Sequence, residues 1–116
     1  MVVRWPSLRA GCAMMFLLCA GVIHAASDDE KARMLAKQNA CLGCHSVDKK
    51  IVGPSYQEVA LKYKNNAGAT AFLKNKILHG GVGSWGVVPM PANEKLSDAD
   101  LSLLTQWILR GAPTSN

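Results

Sequence analysis

Residues 41–45 read Cys-Leu-Gly-Cys-His, two thiols and an imidazole within five positions. That stretch constrains the fold because the chain around it offers little else to build a core on. The sequence has 116 residues, room for one small domain, and its first quarter is not expected to join that domain. Arg4 and Arg9 give a positive start, the run GCAMMFLLCAGVI at 11–23 carries no charge, and the small residues of 24–27 lead into Asp28, Asp29 and Glu30. The apolar run is shorter than the roughly twenty residues that span a bilayer, so a secretory signal peptide over 1–25 fits better than an amino-terminal anchor. Cleavage is expected after Ala25 or Ala26, leaving 26–116 as the mature domain. A lipid anchor does not fit, because Leu18 precedes Cys19 where a small residue is needed, and Cys12 stands ahead of the apolar stretch.

Removing that leader simplifies the inventory. Of four cysteines only Cys41 and Cys44 stay, of three histidines His45 and His79, and of five methionines Met34 and Met90. The net charge falls from +5 to +3 with the loss of Arg4 and Arg9. A domain of about ninety residues has a marginal core unless a staple or a large buried group completes it. A disulfide between Cys41 and Cys44 would close too short a loop to do so.

The remaining patterns are helical. No window alternates apolar and polar residues in the manner of a strand, so an all-α domain is expected. Ser27 and Glu30 form a capping-box pattern opening a helix over 27–40, with Ala32, Leu35 and Ala36, and Met34 beside them, as its core stripe. Ser55 and Glu58 repeat the pattern ahead of a short helix to Tyr63. A third helix is predicted over 70–81, with Phe72, Leu73, Ile77 and Leu78 on its apolar side and Gly80 and Gly81 as stop signals. Ser97 caps a fourth over 98–111, where Leu101, Leu104, Trp107 and Ile108 mark the buried side and Gly111 and Pro113 end it. The long stretch 80–95 has neither period, and irregular loops of that length in compact domains are usually functional.

Three chemistries use Cys-x-x-Cys-His. A thioredoxin-like redox pair follows a strand in a strand–helix alternation, which this chain lacks. A structural zinc site needs four Cys or His ligands, and only His79 could join, with His45 poorly spaced beside Cys44. A c-type haem needs this motif alone. Two cysteines three apart on a helical turn lie on one side of the chain, where each sulfur can add to a vinyl group, and His45 follows to meet the iron. Haem attachment also requires export, and a flat, mostly apolar group supplies the missing core.

The second axial position decides the reaction class. An open or labile position would allow peroxidase-like chemistry or gas sensing, whereas a strong side-chain ligand leaves an electron carrier. Met90 stands between Pro89 and Pro91 in the irregular loop, where fixed backbone stiffens the presentation of its sulfur. Met34 on the first helix reads as core, and His79 as a helix-end carbonyl partner.

The segments CLGCHSVDKKIVGPSY, ILHGGVGSWGVVPMP and LTQWILRG, in that order, resemble the small monohaem class I bacterial cytochromes c, and in particular the periplasmic kind that passes electrons to nitrite reductase or terminal oxidases. The resemblance implies an all-α fold of four or five short helices wrapped around one covalent haem c, with the first and last helices crossing. It implies thioether links at Cys41 and Cys44, with His45 and Met90 as the iron ligands. It implies further that the Pro54 carbonyl accepts from the His45 ring, that Trp85 donates to a haem propionate, that Asn93 lies near the methionine sulfur, and that Lys76 stands where the family often has arginine near a propionate. The expected role is a monomeric periplasmic electron carrier, not an enzyme, working between a membrane quinol-oxidising complex and a nitrite reductase, oxidase or peroxidase. No membrane span is expected after leader cleavage.

Charge is unevenly spread. Six lysines between 49 and 76 face only Glu58, a local balance of +5. Such asymmetry could steer the protein to an acidic partner, and a plain solvated face explains it equally well. An exported chain with so few aromatics does not suit nucleic acid.

Overall fold

The computed structural model describes Val2 and residues 20–114, with side chains from Ser27 onward. Most of the expected leader, including Arg4, Arg9, Cys12 and Cys19, lies outside the described residues. Four α-helices follow: α1 Ala20–Gln38, α2 Tyr56–Tyr63, α3 Ala69–His79 and α4 Asp98–Leu109, with a 3-10 turn at Cys41–Gly43. Among the described residues there is no strand, only isolated bridges between His45 and Lys50 and between Gly81 and Met90.

α1 begins before Ser27, so the capping box expected there does not form. Residues 20–26, rich in alanine, contain nothing that stops a helix. Glu30 pairs instead with Arg33 one turn on, at 3.1 Å. The core stripe is also narrower than expected. Ala32 and Ala36 are fully buried, whereas Met34 is 50% exposed and does not belong to the core. Residues four apart share a helix face, and Met34, two from each alanine, points away from it. Two alanines leave little side chain between α1 and α4, which pack together. α1 stops at Gln38 because Ala40 takes a left-handed conformation (φ 58°), while the Asn39 side chain donates to the Leu35 carbonyl at 2.9 Å.

α4 is the common partner, packing against α1, α2 and α3. Ser97 caps it by accepting from the Asp100 N–H at 3.1 Å. At its far end the Gly111 N–H reaches the Ile108 carbonyl and the Ala112 N–H the Trp107 carbonyl, both at 2.9 Å, the Schellman pattern that glycine at a left-handed position permits. Trp107 is fully buried and its indole N–H donates to the Pro113 carbonyl at 3.0 Å. Leu101, Leu104 and Ile108 complete the buried face. Arg110 pairs with Asp29 of α1, and Lys74 of α3 with Asp98 at the start of α4. On α3, Leu73 and Ile77 are buried, but Phe72 is largely exposed and packs on Tyr63 across the α2–α3 connection.

Candidate functional site

The 3-10 turn carries the motif. Its geometry is set by the Cys41 carbonyl, which accepts from the N–H groups of both Cys44 (3.1 Å) and His45 (2.9 Å). Cys41 and Cys44 are half-buried and not joined as a disulfide. Burial pushes the Cys41 thiol above its ordinary range.

His45 is held from three sides. Its Nδ1 lies 2.7 Å from the Pro54 carbonyl. A carbonyl only accepts, so Nδ1 carries the hydrogen and the neutral ring keeps its lone pair on Nε2. The ring stacks on Tyr56, centroids 5.5 Å apart and planes 21° from parallel, and Tyr56 in turn meets the buried Trp107 edge-on at 5.2 Å. On the third side lies Gly53, where an added Cβ would stand 2.5 Å from His45 Cε1. The segment is docked onto the start of α2, whose Tyr56 and Gln57 N–H groups donate to the carbonyls of Ser46 and Val47. Ser55 and Glu58 form the capping box that fixes that helix start, at 2.7 and 3.1 Å. These positions orient Pro54, the residue just ahead of the cap.

Met90 is presented by the second long loop. Gly81 and Met90 exchange two backbone hydrogen bonds, 3.0 and 2.9 Å, closing residues 81–90 at their base. Beyond it the Asn93 N–H donates to the carbonyls of Ile77 and Leu78, groups that a helix end leaves without partners. Gly80 ends α3 at φ 66°, and an added Cβ there would collide with the Met90 carbonyl. The strap that carries Met90 thus lies directly on the end of α3.

These parts surround one cavity of about 1190 Å³, counted with its open mouth. Cys41, Cys44, His45, Pro54, Lys76, Trp85 and Met90 all line it, with Val59, Leu73, Ile77, Leu104 and Ile108 among the apolar residues behind them. Asn93 does not. It lies in a separate hollow with Asn39, Ala92, Glu94 and Lys95, and its side-chain amide turns to the Pro91 carbonyl at 3.4 Å. His79 is exposed and outside the lining. Among the described residues no three His, Cys, Asp or Glu side chains gather in a cluster.

The sequence signature of the family named Cytochrome c matches residues 30–112. The chain belongs to the cytochrome c family. It is similar to cytochrome c-552 of Nitrosomonas europaea, 44% identical over 93 residues that make up 80% of this chain and 84% of that one. Cytochrome c-551 of Pseudomonas aeruginosa is 40% identical over 98 residues, 84% of this chain and 93% of the relative. The crystal structure of wild-type Nitrosomonas europaea cytochrome c552 superposes with a TM-score of 0.65 at 44% identity, covering 68% of this chain and 98% of that one. The class 1 cytochrome MtoD from Sideroxydans lithotrophicus follows at 0.63 and 34% identity, covering 72% and 96%. This cytochrome c is therefore of the small class I type, an electron carrier and not an enzyme, and the family implies covalently bound haem c with its iron.

The residues present fit such a group. The cavity is broad and mainly apolar, two thiols stand at one part of its wall, and an imidazole with a free Nε2 and a thioether reach the same space. Three contributors were not singled out by sequence. Gly53 makes room for the imidazole, Tyr56 supports its face, and Lys62 reaches the loop of Trp85. Gly53 lies within the segment CLGCHSVDKKIVGPSY, which was the available signal for it. Nothing in the sequence marks Lys62 among six neighbouring lysines.

Proposed function

We propose that this cytochrome c is a periplasmic shuttle carrying one haem, bound through Cys41 and Cys44 Sγ, with His45 Nε2 and Met90 Sδ as axial ligands. The observation that carries this reading is the 2.7 Å contact between His45 Nδ1 and the Pro54 carbonyl in a cavity that Cys41, Cys44 and Met90 also line. When bound, haem c supplies a one-electron couple between ferrous and ferric iron. The Pro54 carbonyl fixes the tautomer and rotation of the imidazole and raises its basicity. Met90 offers a soft sulfur that favours the ferrous state, so this pair sets a higher potential than histidine alone. Val59, Leu73, Ile77, Leu104 and Ile108 exclude water. Trp85 and Lys76 offer an N–H donor and a cation at the same cavity, suited to propionates, and Asn93 braces the Met90 strap through its backbone.

Residues 1–25 are read as a cleaved leader and 26–116 as the mature monomer. The donor is then a quinol-oxidising complex of the membrane, and the acceptor a nitrite reductase, oxidase or peroxidase with an acidic docking face. The lysines between 49 and 76, of which Lys50 and Lys76 line the cavity, support that choice of partner charge.

The test compares wild type with Met90→Ala, both purified from an exporting host. Wild type is expected to begin at Ala26 or Ser27, to carry the mass of one covalent haem, and when oxidised to show the weak far-red band of a sulfur–iron bond. Met90→Ala should lose that band, bind added imidazole readily, and fall in potential by tenths of a volt, within the roughly 0.8 V that axial ligands command. An unchanged potential would place the second ligand elsewhere.

A further inference from the structure

The loop 81–90 carries both Trp85 and Met90, yet it has little holding it to the body of the protein. Its base is closed by the Gly81–Met90 pair, and its tip by a bond from the Gly83 N–H to the Gly86 carbonyl at 2.9 Å. Gly83 and Gly86 both take positive φ, and an added Cβ at either would meet nothing within 4 Å. Val87 at the tip is 91% exposed. Among the described residues, a single hydrogen bond ties 82–89 to anything outside the loop. It runs from Lys62 Nζ to the Ser84 carbonyl at 2.7 Å. The same ammonium stands 4.3 Å from the centroid of the Trp85 ring, well inside cation–π range. Lys62 lies in the last turn of α2, a helix fixed at its other end by the Ser55–Glu58 capping box and along its length by α4.

We propose that Lys62 is a positioning residue, a latch that holds the 81–90 loop against α2 and so governs how often the wall formed by Trp85 and Met90 opens. One ammonium satisfies a backbone carbonyl and covers an aromatic face on adjacent residues, an arrangement that fixes the loop in position and in rotation. The other lysines of the basic stretch do not do this. Lys64 carries the same charge two residues later and makes no side-chain hydrogen bond among the described residues, while Lys76 turns toward Phe72. The consequence for the iron rests on Met90 being its ligand, but the latch itself does not.

The experiment uses the oxidised holoprotein and its variants Lys62→Met, Lys62→Arg, Lys64→Met and Met90→Ala. Two quantities are read: hydrogen exchange at the bonded amides of Gly81, Gly83 and Met90, and the rate at which imidazole, at a pH high enough to keep it uncharged, replaces the methionine. Lys62→Met keeps the apolar stem and removes the donor and the charge. Both rates should then rise about fivefold to tenfold, the effect of losing one hydrogen bond and one exposed cation–π contact. Exchange in α1 and α4 should stay as in wild type. Lys62→Arg retains a donor and a cation that stacks on indole and should return both rates to within about twofold of wild type. Unchanged exchange at the Gly81, Gly83 and Met90 amides in Lys62→Met overturns the latch, and so does an equal rise in Lys64→Met, which would assign the effect to charge alone. If Met90→Ala leaves imidazole binding as slow as in wild type, the axial assignment falls, and the exchange data alone decide the latch.

Discussion

Gly53 shows how one hydrogen atom can decide the position of an imidazole. The imidazole of His45 lies where a Cβ on residue 53 would be, 2.5 Å from Cε1 and 2.8 Å from Nδ1. Backbone on the one side and the Tyr56 ring on the other leave the imidazole no room to retreat. Gly53→Ala is therefore expected to cost about 1–3 kcal/mol by overpacking, measured by urea unfolding of the holoprotein. The same change should lengthen the contact to Pro54 and weaken the imidazole as a donor, seen as a shift in the oxidised spectrum that a purely distant destabilisation would not cause. At this scale the sequence was legible where chemistry is scarce. With two cysteines, two histidines and two methionines in residues 26–116, few assignments were open, and the cavity gathers Cys41, Cys44, His45 and Met90. It was illegible where a role depends on rotation about a helix or loop. Met34 turns outward because Ala32 and Ala36 take the inner face, and the Asn93 side chain turns to Pro91 while its backbone does the holding.

Helix starts were the most readable elements, because a cap is local chemistry. Ser55 and Glu58 form the predicted box, and Ser97 caps α4 as predicted, accepting from the Asp100 N–H. Ser27 fails as a start because the residues before it are equally willing to be helical, and no local rule marks where a helix does not begin. The Ser55 cap also makes the fold acid-sensitive. The Ser55 backbone N–H, and then its hydroxyl, hold the Glu58 carboxyl below its ordinary range. A carboxyl lowered in this way contributes stability above its free value of about 4.3, and the contribution disappears as the pH falls through the lower folded value. Glu58→Gln should flatten the acid limb of the stability–pH curve over that window, followed by thermal melts from neutral pH downward. Ser55→Ala should cost about 1 kcal/mol at neutral pH. Because α2 begins directly after Pro54, part of that loss should appear as a disturbed His45 environment.

Among the described residues the buried core is small and consists mostly of residues that face α4 or the cavity. Val52, Val82, Trp85 and Val88 line the cavity with apolar side chains that the protein itself does not cover. Apoprotein prepared without haem attachment, for instance as a Cys41→Ser/Cys44→Ser form kept free of haem, should therefore lose the sharp thermal transition of the holoprotein. It should bind a hydrophobic dye and keep only part of its helical circular dichroism, as expected of a small domain whose core is completed by a buried group. A colourless form that melts as sharply as the holoprotein would contradict this. How α1, α2 and α3 are arranged is a further consequence at this scale. Each of them rests on α4, so the design is an axle with spokes, in which no spoke can be lost without uncovering part of the axle's buried face. Truncating any one of the three contacts should therefore loosen all four helices together, while the segments between them, which carry Cys41, Cys44, His45 and Met90, are kept free for the site.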